Sequence, residues 1–139
     1  MPVYLFSYEA ENVGSSGGQR WLTEDHQRRL IDAAVDAQRG LRCRCFAAAA
    51  ERGRFQVLVA WEDGRDARDL RRRIGRELEG AMRGEFGGAA WLSSVGSRTR
   101  LRNRPQFDHV IRRIADGAPL AWVAGRGFTL QPAPLAKAG

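Results

Sequence analysis

The stretch that decides the fold is Leu41-Arg42-Cys43-Arg44-Cys45-Phe46, then Ala47 to Ala50, Glu51-Arg52-Gly53, and Arg54-Phe55-Gln56-Val57-Leu58-Val59-Ala60-Trp61. Leu41, Cys43 and Cys45 alternate with Arg42, Arg44 and Phe46, and Phe55, Val57, Val59 and Trp61 alternate with Arg54, Gln56, Leu58 and Ala60. A side-chain period of two belongs to a half-buried strand, and Glu51-Arg52-Gly53 supplies a turn. Two strands joined as a hairpin are therefore expected here.

On the N-terminal side, Thr23 before Glu24 and Asp25 has the form of an N-cap with acidic residues in the first helical turn. Leu30-Ile31 and Ala34-Val35 continue the pattern as an apolar stripe, and the helix should end near Gly40. Earlier still, Val3 to Tyr8 is a β-branched and aromatic run, followed by the loop Gly14-Ser15-Ser16-Gly17-Gly18. On the C-terminal side, after Asp63-Gly64, Ala67, Leu70, Ile74, Leu78 and Met82 mark an amphipathic helix whose other face carries Arg65, Arg68, Arg72 and Arg76. Gly84 to Gly88 breaks it, and Ala90-Trp91-Leu92 with Val95-Gly96-Ser97 suggests a short strand and a turn. Arg98, Arg100, Arg102 and Arg104 alternate with Thr99, Leu101 and Asn103, so a strand would carry the four arginines on one face. Pro105 opens a helix with Phe107, Val110, Ile111 and Ile114 as its buried stripe. Leu120 to Val123 and Gly127 to Leu130 are expected to fold back on the body. This order of elements predicts an α+β, ferredoxin-like sandwich: an antiparallel sheet with helices packed on one face. One domain over residues 1–130 and a flexible tail over 131–139 are expected.

At 139 residues, with 43% hydrophobic and 28% charged, the chain has the length and composition of a single globular domain. No run approaches the roughly 18 apolar residues of a membrane span, and Met1-Pro2-Val3-Tyr4 does not open a signal peptide, so a cytoplasmic protein without a membrane partner is expected. Cys43 and Cys45, with i, i+2 spacing, suit neither a disulfide scaffold nor a zinc knuckle, and His26 and His109 lie far apart. No metal site is expected. The 23 basic against 16 acidic residues give +7, and Lys137 is the only lysine. Arginine pairs bidentately with phosphate and stacks on bases, which suits a nucleic-acid partner; an Arg-, Ala- and Gly-rich composition also follows from a GC-rich coding bias.

Three blocks carry a family resemblance: Leu22-Thr23-Glu24-Asp25 through Leu30, the strand pair Arg42 to Trp61, and Trp91-Leu92-Ser93-Ser94-Val95-Gly96-Ser97-Arg98 with Arg102-Asn103-Arg104-Pro105-Gln106-Phe107-Asp108-His109. Together they resemble the small single-strand DNA transposases that have a histidine-hydrophobe-histidine motif and one catalytic tyrosine, especially the REP-associated forms. The resemblance implies a homodimer with joined sheets, a Mg or Mn cofactor held by the histidine pair, and a tyrosine on the last core helix that attacks a phosphate.

The chain departs from that pattern where the chemistry resides. Arg54 and Gln56 stand at the positions of the histidine pair, and the segment Phe107 to Ile114 has no tyrosine, with Ile114 or His109 where the aromatic hydroxyl is expected. Arginine keeps its proton and a glutamine carbonyl is a weak ligand, so neither catalytic residues nor a cofactor are expected. Arg54 instead offers a fixed positive charge for a phosphate. Tyr4 and Tyr8 lie in the first strand and are read as sheet residues. The expected nucleic-acid contacts are Arg98, Arg100, Arg102, Arg104, Arg68, Arg72, Arg76 and Arg54, with Trp91 and Phe107 either stacking on bases or buried in the core. The resulting expectation is a catalytically degenerate transposase-like protein that binds single-stranded or hairpin DNA. The alternatives are a protein-interaction or structural module on the same fold, and an active metal-dependent transposase or nuclease using unconventional residues.

Overall fold

The alternation over 54–61 sorts the central strand onto two faces: Phe55, Val57 and Val59 enter one apolar cluster, and Leu58 enters another. In the structure, a computed structural model that describes residues 2–10, 22–62, 64–85, 91–92 and 96–130, this strand lies inside a six-stranded sheet. The elements are β1 (Val3–Glu9), α1 (Glu24–Leu41), β2 (Arg44–Ala50), β3 (Arg54–Ala60), α2 (Ala67–Ala81), β4 (Arg98–Leu101), α3 (Arg104–Gly117), β5 (Leu120–Val123) and β6 (Gly127–Leu130). Every neighbouring pair is antiparallel, in the order β4-β1-β3-β2-β5-β6. The fold is the expected α+β arrangement, and the expected hairpin is β2–β3, with Ala50 opposite Phe55.

Local chemistry sets the ends of the helices. Thr23 Oγ1 accepts from the His26 backbone N–H while His26 Nδ1 accepts from the Thr23 N–H, a reciprocal cap that starts α1. Arg42 ends it in the left-handed region at φ 52°, its N–H turned back to Arg39 and Gln38 carbonyls. Asp66 caps α2, and Asn103 caps α3 by accepting from the Gln106 N–H, with Pro105 in the first turn where no N–H is needed.

The helices do not all share a face. Leu30, Ile31 and Ala34 of α1 and Leu70, Ile74 and Leu78 of α2 pack with Phe6, Tyr8, Phe55, Val57 and Val59. Val110, Ile114 and Ala115 of α3 pack instead with Leu5, Ala47, Ala49, Leu58, Ala121 and Val123. The expectation of helices on one face is thus corrected for α3, and the alternation explains why: the central strands are apolar on both sides, so a helix on one side alone would leave Leu5 and Leu58 in water. A bulge between Cys45 and Ala47 contributes. It turns both Phe46 and Ala47 toward α3, and Phe46 meets Phe107 edge to face at 5.1 Å.

Two other expectations change. Only Arg98 and Arg100 lie on β4; Arg102 follows the strand and Arg104 is the first residue of α3, so the row of four does not form. The cap at Asn103 and the proline after it favour a helix start over a longer strand. Of the strand expected at Ala90-Trp91-Leu92, the described part is a single bridge between Leu92 and Ala10. The expected loop Gly14–Gly18 and tail 131–139 lie outside the described residues. Among the described residues, no helix is long and apolar enough to cross a membrane.

Candidate nucleic-acid interface

Helical geometry places Arg68, Arg72 and Arg76 on successive turns of α2, opposite the buried Leu70, Ile74 and Leu78, and all three are exposed. The sheet then brings Arg98 to them. β4 pairs with β1 so that Arg98 stands opposite Phe6, on the face that α2 covers. Arg68, Arg71, Arg72, Arg76 and Arg98 line one basin of about 570 Å³, with Tyr8, Gly75, Leu92 and Gly96 as its floor and Glu79 as its acidic member.

The floor is held rigidly by Arg71. Its Nη2 donates to the Ser7 carbonyl at 2.7 Å, its guanidinium lies 4.5 Å over the Tyr8 ring, and the Tyr8 hydroxyl donates to the Arg71 carbonyl at 2.7 Å. Burial pushes the Tyr8 phenol above its ordinary value of 10.0, against the opposing pull of the Arg71 charge. The buried Tyr8 hydroxyl is thus tied to a backbone carbonyl, and both tyrosines lie on β1, the first strand, as expected. Tyr4 stacks on Trp61 at 5.3 Å. Gly96 is required where β4 approaches: a Cβ there would lie 2.1 Å from the Ser7 carbonyl oxygen and 2.2 Å from Arg71 Nη2.

The other expected contacts disperse. Arg100 stands opposite Tyr4 and borders a separate groove with Thr99, Pro105 and His109. The Arg102 N–H donates to Gln106 Oε1, and Arg104 pairs with Asp108 at 3.1 Å while lying 5.6 Å from the centre of the Phe107 ring. Trp91 is buried in the α1/α2 core, whereas Phe107 is half-buried and packs with Phe46 at the edge of the α3 cluster.

Arg54, Gln56 and Ile114 do come together, on the opposite face of the sheet. They line a cavity of about 250 Å³ with Ala49, Glu51, Arg113, Gly117 and Ala118. Its donor set does not suit a divalent cation: Arg54 brings a permanent positive charge, and Glu51, the one carboxylate, pairs with Arg54 Nη2 at 3.3 Å. No group of three His, Cys, Asp or Glu that would hold a metal occurs among the described residues. Ile114 supplies no hydroxyl. The cysteines are not poised for reaction either: burial raises Cys43 and pushes Cys45 up to about 12.

Arg71 and Arg113 are the residues whose importance the sequence concealed. Arg71 is one of several arginines on α2, and only its contact with β1, more than sixty positions away, sets it apart. Arg113 follows the apolar stripe of α3 with no motif around it.

The fold is similar to that of a REP-associated tyrosine transposase. That solved structure, which is bound to a REP hairpin, superposes with a TM-score of 0.59 at 14% identity, over 82% of this chain and 64% of the other. The chain thus spans less than two thirds of the length of the structure it matches, and the likeness is one of fold. No protein-family model and no curated protein matches the sequence.

Proposed function

We propose that this protein binds single-stranded or hairpin DNA through the α2–β4 arginine basin, as a transposase-like protein without the cleavage chemistry. The observation that carries the reading is the convergence of Arg68, Arg72 and Arg76 from α2 with Arg98 from β4 around one basin. Guanidinium groups along a concave surface match a phosphate backbone that bends, and they supply bidentate contacts. The similarity to a hairpin-bound transposase supports the DNA class. Arg54, Gln56 and Ile114, gathered in one cavity without a metal-holding set or a hydroxyl, support the loss of cleavage.

Fluorescence anisotropy with a labelled hairpin, a matching duplex and a heparin competitor, over a salt series with and without manganese, tests the reading. The hairpin should bind more tightly than the duplex and resist heparin. Replacing Arg68, Arg72 and Arg76 by Gln should flatten the salt slope by about 2, at roughly 0.7 for each phosphate contact in a single strand. Equal affinity for duplex and hairpin would remove the proposal, and a cleaved product on a denaturing gel would remove its second half. The homodimer implied by the resemblance belongs to the same proposal, with the sheet edges at β4 and β6 as the places where two sheets would join. Light scattering should then report twice the chain mass.

A further inference from the structure

On the α3 face, the cavity bounded by Arg54, Gln56 and Arg113 combines two cationic groups with an apolar floor. Arg54 stands at the start of β3 and Gln56 two residues on, so both project to the α3 side of the sheet. Ala49 lies opposite Gln56 in the register, and its small side chain leaves the space open. From the other side, Arg113 and Gly117 lie one helical turn apart on α3, with Ile114 and Ala118 buried beneath them. The result is a half-enclosed cavity with Ala49, Ile114 and Ala118 as its base and charge at its rim.

We propose that this cavity binds a small phosphorylated molecule of the nucleoside monophosphate class, independently of the arginine basin on the other face. Size argues for more than a bare anion. About 250 Å³ is many times the roughly 10–15 Å³ that a single water needs, so an inorganic phosphate leaves most of it unfilled. The two guanidinium groups take the phosphate, the Gln56 amide offers a donor and an acceptor to the polar edge of a base, and the small apolar base receives the ring. Glu51 is the opposing charge. Its pair with Arg54 has both side chains more than two-fifths exposed, at 41% and 45%, and a pair so open to water exchanges readily for a phosphate.

Isothermal titration calorimetry of the whole chain with uridine monophosphate, uridine and inorganic phosphate tests the assignment. The monophosphate should bind best. Arg54→Gln and Arg113→Gln should each weaken it by about tenfold or more, the loss expected for a charge-assisted hydrogen bond. Glu51→Gln should tighten it by up to about fivefold, because it frees Arg54 from a competing carboxylate. Arg68→Gln with Arg72→Gln should leave it unchanged. Both Arg54 and Arg113 are exposed, so their variants keep the core intact. Uridine binding as well as its monophosphate would overturn the proposal, as would inorganic phosphate matching the monophosphate or an affinity that follows Arg68 and Arg72. Failure here leaves hairpin binding untouched, since the two assays read different ligands and different arginines.

Discussion

The two faces of the sheet are covered unequally: α1 and α2 together cover one with large side chains, whereas α3 alone covers part of the other. On the first face, Phe6, Tyr8, Phe55, Trp61, Leu70, Ile74 and Leu78 fill the space between sheet and helices. On the second, the sheet contributes mainly small residues, Ala47, Ala49 and Ala121 beside Leu5 and Leu58, and a cavity remains at the end of α3. These large buried side chains form the base on which the exposed arginines of α2 stand. Each face keeps a concavity of its own, the arginine-lined basin between α2 and β4 on the first and the smaller cavity at the end of α3 on the second.

The contrast is broken most directly by equivalent truncations on the two sides. Ile74→Ala, in the dense cluster, should cost about 4 kcal/mol in urea unfolding, while Ile114→Ala, beside an existing cavity, should cost about 2 kcal/mol. Equal losses would mean that the two faces are packed alike. Gly96→Ala forces a methyl group against the Ser7 carbonyl and Arg71, and should cost about 1–3 kcal/mol while loosening β4 from the basin. Hairpin affinity should fall with it.

Tyr8→Phe removes the hydroxyl bond to Arg71 and should cost about 1 kcal/mol near neutral pH. Its pH dependence is the sharper readout. The phenol is held above its ordinary value of 10.0, so its contribution is fully present below about pH 10 and lost as the pH rises beyond it. Burial also raises Cys43 and pushes Cys45 up to about 12, losses of the same sign present in both proteins, so the difference between wild type and Tyr8→Phe reads the phenol together with its coupling to Cys43. The wild type should lose stability more steeply in alkali than the variant.

The smallest effect is at the α1 cap. Thr23→Ala leaves the His26 N–H without its acceptor and should cost about 1 kcal/mol or less. At the same end of the molecule, Glu85 forms an ion pair with Arg29, which holds its carboxyl below the ordinary range. A depressed carboxyl stabilises above its unfolded value and ceases to do so as pH falls through the folded one, so Glu85→Gln should flatten the acid limb of the stability curve.

Much of the fold is visible in local patterns. The alternation over 54–61, the apolar stripe of α2, the cap at Thr23 and the turn at Gly53 each report a period or a backbone preference within a few residues. The site divides differently. Arg68, Arg72 and Arg76 share a face by helical spacing alone, and their grouping needed no contact from elsewhere. The four-arginine row failed because alternation over 98–104 competed with the Asn103 cap and Pro105, and the helix start prevailed. The face taken by α3 was equally hidden, since an apolar stripe shows that a helix packs without showing on which side of a sheet it does so.

Periodicity, caps and charge therefore determine the helices and strands, the β2–β3 hairpin and the arginine face of α2. They act through neighbours in the chain. The meeting of Arg98 with α2, the closing of Arg71 over Tyr8, and the gathering of Arg54, Gln56, Arg113 and Ile114 in one cavity depend on strand order and on the side chosen by α3. Those choices minimise exposed apolar surface over the whole sheet at once, a global condition that no local stretch of sequence records.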